Sequence, residues 1–174
     1  MKTSLLLSLA CGLAATLPAF AETPAMLNDL QMAHVGYVAD NLDIQYGHLA
    51  LALSTTPAVR EFATTMISDH SAVNDQALAL LAKLGAQPED TFLSQALNAG
   101  GVDLVNKFTT LRGADFDRAY AENEVAYHKA VVGIVENDFI LDIENAELKE
   151  LYTQGLVIFK QHLSHAEAML AAVK

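Results

Sequence analysis

Histidine is the residue type in this chain whose placement points most directly to chemistry. All six histidines lie in segments with helical periodicity, and His70, His128 and His162 fall on the apolar stripes of three different segments. A neutral imidazole binds metals and exchanges protons near physiological pH, and a buried one needs a partner. Metal binding, a buried hydrogen-bond network and a protonation switch are the three kinds of chemistry that this pattern allows.

Steps of three and four residues predict which neighbours join the histidines. Glu124 precedes His128 by one turn, so a carboxylate and an imidazole share one helical face. The same steps along the last helix reach His162 and then His165, which predicts that both point inward. At a rise of about 1.5 Å per residue, the three helices carry His70, His128 and His162 to a similar depth.

The first helix is predicted to add a carboxylate at that depth. One possible inner row consists of Leu30, His34, Tyr37, Asn41, Ile44 and His48, with Asp43 close to its edge. His34 and His48 lie nearer the helix ends, so a solvated position is expected for both. The candidate metal ligands are therefore Asp43, His70, Glu124, His128, His162 and His165.

A metal-free interpretation stands beside this one. A single buried histidine is more often a hydrogen-bonded core residue than a ligand, and Asn74, one turn beyond His70, could satisfy its ring. Three histidines at one level favour a metal, because one cation satisfies all of them whereas separate packing needs a neutral partner for each.

Proline and glycine mark the ends of the elements that must position these residues. They divide the chain into four long helical segments: Thr23-Pro24 to Leu53, Thr56-Pro57 to Leu84 with Gly85 as the stop, Asp115 to about Ile140, and Asn145 to near Val173. No stretch alternates as a strand would. An all-α fold is therefore predicted.

The connections predict how the helices are arranged. The first two helices and the last two are joined by short links, which favours two antiparallel hairpins. Residues 86–113 form a much longer connection, whose latter half is predicted to contain a short amphipathic helix. A crossover of that length between two hairpins is the connectivity of a ferritin-like four-helix bundle. A plain up-and-down bundle with a bulky loop is the alternative.

The N-terminal segment predicts export. Residues 1–21 have a basic start at Lys2, an apolar stretch, and the A-x-A pattern Ala19-Phe20-Ala21, which is typical of a cleaved secretory signal peptide. Cys11 lies within this segment, so the mature chain, residues 22–174, would contain no cysteine. We expect a single periplasmic domain that is held together by packing or by a metal.

Charge and hydropathy exclude two classes of partner. The chain carries a formal net charge of −11, and a surface of that sign repels nucleic-acid phosphates and anionic headgroups. No stretch after the signal peptide approaches the ~18 consecutive apolar residues of a membrane span. A protein partner or a small-molecule substrate is not specified by the sequence.

Three segments carry a resemblance to a known family: "VREFATTMISDHSAVN" at 59–74, "FDRAYAENEVAYHKAV" at 116–131 and "HLSHA" at 162–166. There the sequence resembles the bacterial family catalogued as domain of unknown function 4142. The resemblance implies an exported protein with a ferritin-like helical bundle, and the family's matching histidines fall on His70, His128 and His162. It implies no activity.

Two departures bear on the metal. Family members usually carry a Gly-Gly pair followed by a glutamate in the first helix, whereas this chain has "ADNLDIQYG", so Asp43 is the stand-in. Di-iron carboxylate enzymes need Glu-x-x-His on two helices, but Ile67 and Phe159 stand three residues before His70 and His162. A histidine-rich set suits zinc, copper or a single iron better than an oxo-bridged pair.

Two functions follow from the sequence. The first is an exported four-helix protein that binds a transition metal ion inside the bundle, with enzymatic activity left open. The alternative is a metal-free envelope or stress-related module that binds another protein, with a buried histidine network or a pH sensor.

Overall fold

Five α-helices make up most of the part of the chain that the computed structural model describes, residues 27–173. They are α1 (Asp29–Leu53), α2 (Pro57–Leu84), α3 (Phe92–Thr110), α4 (Gly113–Ile134) and α5 (Ala146–Ala172). A π-helical segment, Val135–Phe139, and a last turn, Ile140–Asp142, extend α4. Residues 27–173 contain no strand, so the all-α prediction is confirmed.

The ends of the helices follow from local capping. α2 begins at Pro57 and stops at Gly85, which takes the left-handed conformation at φ 62°, as predicted. The side chain of Asn145 accepts from the first backbone N–H groups of α5, also as predicted. Helix α1 begins only at Asp29, because Asn28 and Gln31 form a capping box. The start predicted at Thr23-Pro24 lies outside the described residues.

The long connection is more helical than predicted. Helix α3 fills most of it, because Thr91 caps the helix and Ser94 completes the capping box. The Thr91-x-x-Ser94 pattern is the sequence signal that reveals this start. The next helix, α4, begins at Gly113 and not at Asp115.

Contacts between side chains show how the helices are paired. Residues later in α1 lie beside residues earlier in α2: Gly47 lies beside Ala63, whereas Asp40 lies beside His70. The same holds for α4 and α5, which are joined by ion pairs of Lys129 with Glu167 and of Glu136, in the π-helical segment, with Lys160. None of the helices within residues 27–173 combines the length and apolar character needed to cross a bilayer.

The core consists of two apolar clusters with a polar layer between them. One cluster includes Tyr46, Phe62, Phe116 and Met169, and the other includes Met32, Phe139, Leu148, Tyr152 and Phe159. His70, His128 and His162 lie in the parts of α2, α4 and α5 that are between the two clusters. The layer is therefore surrounded by packed apolar side chains.

The predicted inner row of α1 is wrong. Its buried residues are Met32, Ala33, Val35, Val38, Asp40, Leu42, Asp43, Tyr46, Gly47 and Ala50. Helix α1 contacts α2, α3 and α4, so it is covered on several sides. Apolar residues consequently occur around most of its circumference, and their periodicity does not single out one face. His48 is exposed, as expected.

Candidate metal centre

Three histidines from three helices meet in the polar layer. His70 of α2, His128 of α4 and His162 of α5 are only 3%, 1% and 2% exposed. Their ring centroids are 5.9 Å apart for His70 and His128, 5.1 Å for His70 and His162, and 5.5 Å for His128 and His162. One nitrogen of each ring lies within 4.8 Å of the others, close enough for the three to share an ion.

Regular helical spacing explains this meeting. His70 follows the buried Met66 by one turn, and His128 follows the buried Glu124 by one turn. On α5, His162 lies on the same buried stripe as Phe159 and Ala166. Each histidine is therefore held by a helix whose neighbouring turns are anchored in the core.

In each ring, one nitrogen donates a hydrogen bond to an oxygen acceptor of its own. The Nδ1–H of His70 donates to Oδ1 of Asp40 at 2.6 Å, and the Nε2–H of His162 donates to Oδ2 of Asp69 at 2.9 Å. The Nδ1–H of His128 donates to the backbone carbonyl of Glu124 at 2.9 Å. These bonds fix the orientation of each ring and direct its other nitrogen toward the shared space.

The remaining ring nitrogens have no hydrogen-bond partner among residues 27–173. They are Nε2 of His70, Nε2 of His128 and Nδ1 of His162, and all three are buried. A buried polar atom without a partner costs about 1–3 kcal/mol. The nitrogens of His128 and His162 therefore carry a cost for the fold, and a cation bound by all three rings would satisfy them; Nε2 of His70 lies against Asp43.

Two fully buried carboxylates border the same space. Oδ2 of Asp43 lies 2.7 Å from Nε2 of His70 and 3.5 Å from Nε2 of His128. The shorter contact is an ion pair between the carboxylate of Asp43 and the ring of His70. Asp43, Glu124 and His128 each present a ligand atom within 4.8 Å of the other two.

Burial keeps two of the histidines neutral. It lowers the pKa of His162 to about 4, because the hydrogen bond to Asp69 offsets only part of the desolvation. Burial also lowers the pKa of His128, despite the nearby carboxylate of Asp43. Both rings are therefore in the form that carries a free lone pair at pH 7.

The pKa values of His70, Asp43 and Glu124 are shifted by burial and by one another's charges. Burial alone lowers the pKa of His70, but the carboxylates of Asp43 and Asp40 outweigh it and raise the pKa to about 10. Burial alone raises the pKa of Asp43, whereas the charge on His70 outweighs it and holds the pKa below its usual value. Burial and the charge of Asp43 raise the pKa of Glu124 well above its usual range, which favours the protonated form of this side chain.

The structure does not bring every candidate residue to the centre. His165 is exposed on α5, so the expectation that it points inward is wrong. The buried residues of α5 continue from His162 to Ala166, one turn later, and His165 lies outside this row.

Asp40 and Asp69, the two carboxylates that accept hydrogen bonds from histidine rings, were not among the predicted site residues. Asp40 shares a helical face with Asp43, three residues later, and that pair of carboxylates was a usable signal. Asp69 is partly exposed, with 40% of its side chain accessible, and nothing in its local sequence distinguishes it from a surface residue.

The donor set fits a transition metal. Imidazole nitrogens suit zinc, copper and iron, and buried carboxylate oxygens complete such sites. Metal-binding histidines usually donate their second ring N–H to a carboxylate or a backbone carbonyl, as all three do here.

Comparison with known proteins identifies a family and no activity. Searches of the curated proteins and of the solved structures give no match. The family model described as a domain of unknown function matches residues 14–169. This match spans most of the chain and includes the three histidines and both buried carboxylates. The protein therefore belongs to the family described as domain of unknown function (DUF4142).

Proposed function

We propose that this protein binds a divalent transition metal through His70, His128 and His162. The observation that carries the proposal is the state of the three rings. Each has one nitrogen held by an oxygen acceptor and the other buried in the shared space. There Nε2 of His128 and Nδ1 of His162 have no hydrogen-bond partner among the described residues, and Nε2 of His70 lies against the carboxylate of Asp43. A complete hydrogen-bond network would leave neither of those two nitrogens free, whereas a metal centre needs such nitrogens facing one another.

Asp43 and Glu124 complete the ligand set. Both are fully buried beside His128, and each has a carboxylate oxygen without a hydrogen-bond partner in residues 27–173. With three nitrogen and two oxygen donors, the candidates are zinc, copper and iron. His165 is left out because it is exposed.

A bound ion would supply Lewis acidity or, for copper and iron, electron transfer. The chain itself supplies orientation and exclusion of water. Asp40 and Asp69 hold two of the rings, and the rings of Phe62 and Phe159 lie against His128 and His70 at centroid distances of 6.1 Å and 5.6 Å. We assign no reaction to this arrangement.

We also propose that the four long helices form a ferritin-like bundle. The contacts within the α1–α2 and α4–α5 pairs support two antiparallel hairpins. Phe62 contacts Tyr120 and His70 contacts His128, so positions rise together along α2 and α4, as a long crossover requires. The protein is proposed to work in the periplasm after removal of residues 1–21. Release of a chain starting at Glu22 by osmotic shock would support that location.

Metal analysis of the mature protein tests the main proposal. We expect close to one equivalent of zinc, copper or iron to remain after loading and desalting. His128→Ala should weaken binding at least tenfold, because it removes a shared ligand, whereas His165→Ala is a matched control that should bind normally. Less than a tenth of an equivalent in the unaltered protein, or equal affinity in both variants, would overturn the ligand assignment.

A metal-free protein-binding module is the second candidate, and one observation favours it. His70 lies between Asp40 and Asp43 and forms a close ionic triad without any ion. If the polar layer serves only as this ionic network, the protein retains no metal after loading and desalting. Replacing His128 then leaves the metal content unchanged at zero.

A further inference from the structure

An apolar cavity of about 130 Å³ lies beside the polar layer. Side chains from all five helices and from the π-helical segment line it, including Ala77, Leu97, Val131 and Leu151. Among its lining residues only Ala130 is exposed, so this residue lies at the surface edge of the wall. None of the three buried histidines lines the cavity, which is therefore distinct from the space between them.

Three of the polar groups in its wall, those of Tyr127, Tyr152 and Asp40, already form hydrogen bonds. The hydroxyl of Tyr127 donates to the carbonyl of Ala39 at 2.8 Å, and that of Tyr152 donates to the carbonyl of Met32 at 2.5 Å. The one carboxylate in the wall, that of Asp40, accepts from His70. Apart from these groups and Tyr37, the lining residues are apolar, so recognition would rest mainly on apolar contact.

The π-helical segment forms part of this wall. Val135 and Phe139 both lie in it, both are buried and both line the cavity. The side chain of Asn137 donates to the carbonyl of Gly133 at 2.8 Å and satisfies a backbone group where the helix widens. Single π-helical turns within α-helices occur frequently at functional sites. The segment is thus a second, independent feature at the same place.

We propose that this cavity binds a small neutral apolar molecule about the size of benzene, such as an aromatic or saturated ring. An engineered apolar cavity of about 150 Å³ in another protein stays dry and binds benzene, and this cavity is of similar size. The carboxylate of Asp40 and the net charge of −11 disfavour an anionic ligand. The proposal holds whether or not the histidines bind a metal.

The position of the cavity gives the bound molecule a defined neighbour. The ring of Phe159 lines the cavity and stacks on the ring of His70, with centroids 5.6 Å apart and an interplanar angle of 10°. A ligand would therefore lie one side chain away from the histidines, without touching them.

Thermal unfolding with benzene tests the proposal. At ten times its dissociation constant, benzene should raise the melting temperature by roughly 3–5 °C. Methyl resonances of Val131 and Ile134, which line the cavity, should shift in NMR spectra. Benzoate, which has a similar ring and a negative charge, should do neither.

Two cavity variants and a matched control locate the site. Ala77→Leu and Ala130→Phe each place a larger side chain in the wall of the cavity, so both should lose the benzene effect. Ala79→Leu changes an exposed position of the same helix α2 outside the wall and should keep it. No melting shift and no methyl shift in the unaltered protein would overturn the proposal. So would a full effect in both cavity variants, or equal effects of benzene and benzoate.

Discussion

His70 differs from the other two histidines in charge as well as in position. Both of its ring nitrogens lie against carboxylate oxygens, at 2.6 Å from Asp40 and 2.7 Å from Asp43. Its pKa is raised to about 10, whereas that of His162 is lowered to about 4. Two identical residue types 5.1 Å apart thus hold opposite protonation states, because only one of them faces two carboxylates.

Metal affinity should rise with pH. At pH 7 His70 holds a proton that a metal must displace, because its pKa is raised to about 10, and the raised pKa of Glu124 favours a second such proton. His128 and His162 are already neutral, since their pKa values are lowered. Displacing one or two protons predicts a gain of about 10- to 100-fold in affinity per pH unit between pH 6 and 8.

Competition with a coloured chelator at three pH values measures this slope. Glu124→Gln should lower it by about one proton, because the amide holds no dissociable proton in that range. A slope of zero in the unaltered protein would mean that neither His70 nor Glu124 is a ligand.

Asp40 acts on the centre through His70. Asp40→Asn removes the charge that orients the ring and should weaken metal binding by about 10- to 100-fold. Asp69→Asn should have a smaller effect, because the Asp69 side chain is 40% exposed and water can replace it. Metal titrations compare the two variants, and nitrogen-15 NMR of the imidazoles reports whether the protonation state of His70 has changed. Equal losses in both variants would contradict this assignment.

At the scale of the helices, helical spacing predicted the site residues of those helices that bury a single face. The three buried histidines and Glu124 were predicted because α2, α4 and α5 each bury one clear stripe. Asp40 was missed because α1 is covered by three helices and its periodicity shows no single face. The capping box at Thr91 was readable in the sequence, yet the length of α3 was underestimated. Burial against several partners is a property of the assembled fold that one helix does not encode.

Gly47 sets the distance between α1 and α2. A Cβ at this position would lie 2.9 Å from Cγ1 of Ile67 and 3.1 Å from the backbone carbonyl of Ala63, which cannot move aside. Gly47→Ala should therefore lower the free energy of unfolding by about 1–3 kcal/mol, although alanine favours helix.

Gly100 provides the matched control for that substitution. It lies inside α3 with nothing within 4 Å of an added Cβ, so Gly100→Ala should raise the free energy of unfolding by about 0.5–1 kcal/mol. Urea denaturation measures both variants. Equal or greater stability of the Gly47→Ala protein would show that α1 and α2 do not need their close approach.

At the scale of the whole molecule, the polar layer divides the core. Apolar clusters lie on both sides of it, and four helices contribute a charged or ionisable side chain to it. An ion bound there would link α1, α2, α4 and α5 at once. Metal binding is therefore expected to stabilise the entire fold, since an ion that binds only the folded state shifts the unfolding equilibrium.

Metal loading should raise the melting temperature. At a free zinc concentration of 100 times the dissociation constant, the gain is about 2.7 kcal/mol. In a domain of this size that corresponds to roughly 5–10 °C. Scanning calorimetry with and without zinc measures the change, and a chelator should reverse it. The His128→Ala protein should show little change; an equal rise in that variant would indicate binding elsewhere.

The hydrogen bond between His162 and Asp69 has a consequence for rates. It joins a ring that is 2% exposed to a carboxylate that is 40% exposed, so it links the buried layer to solvent. Rotation of the Asp69 side chain would free the Nε2 edge of His162 without disturbing the other two rings. How fast an ion enters or leaves would then depend on one surface side chain, while how tightly it is held depends on the buried ligands.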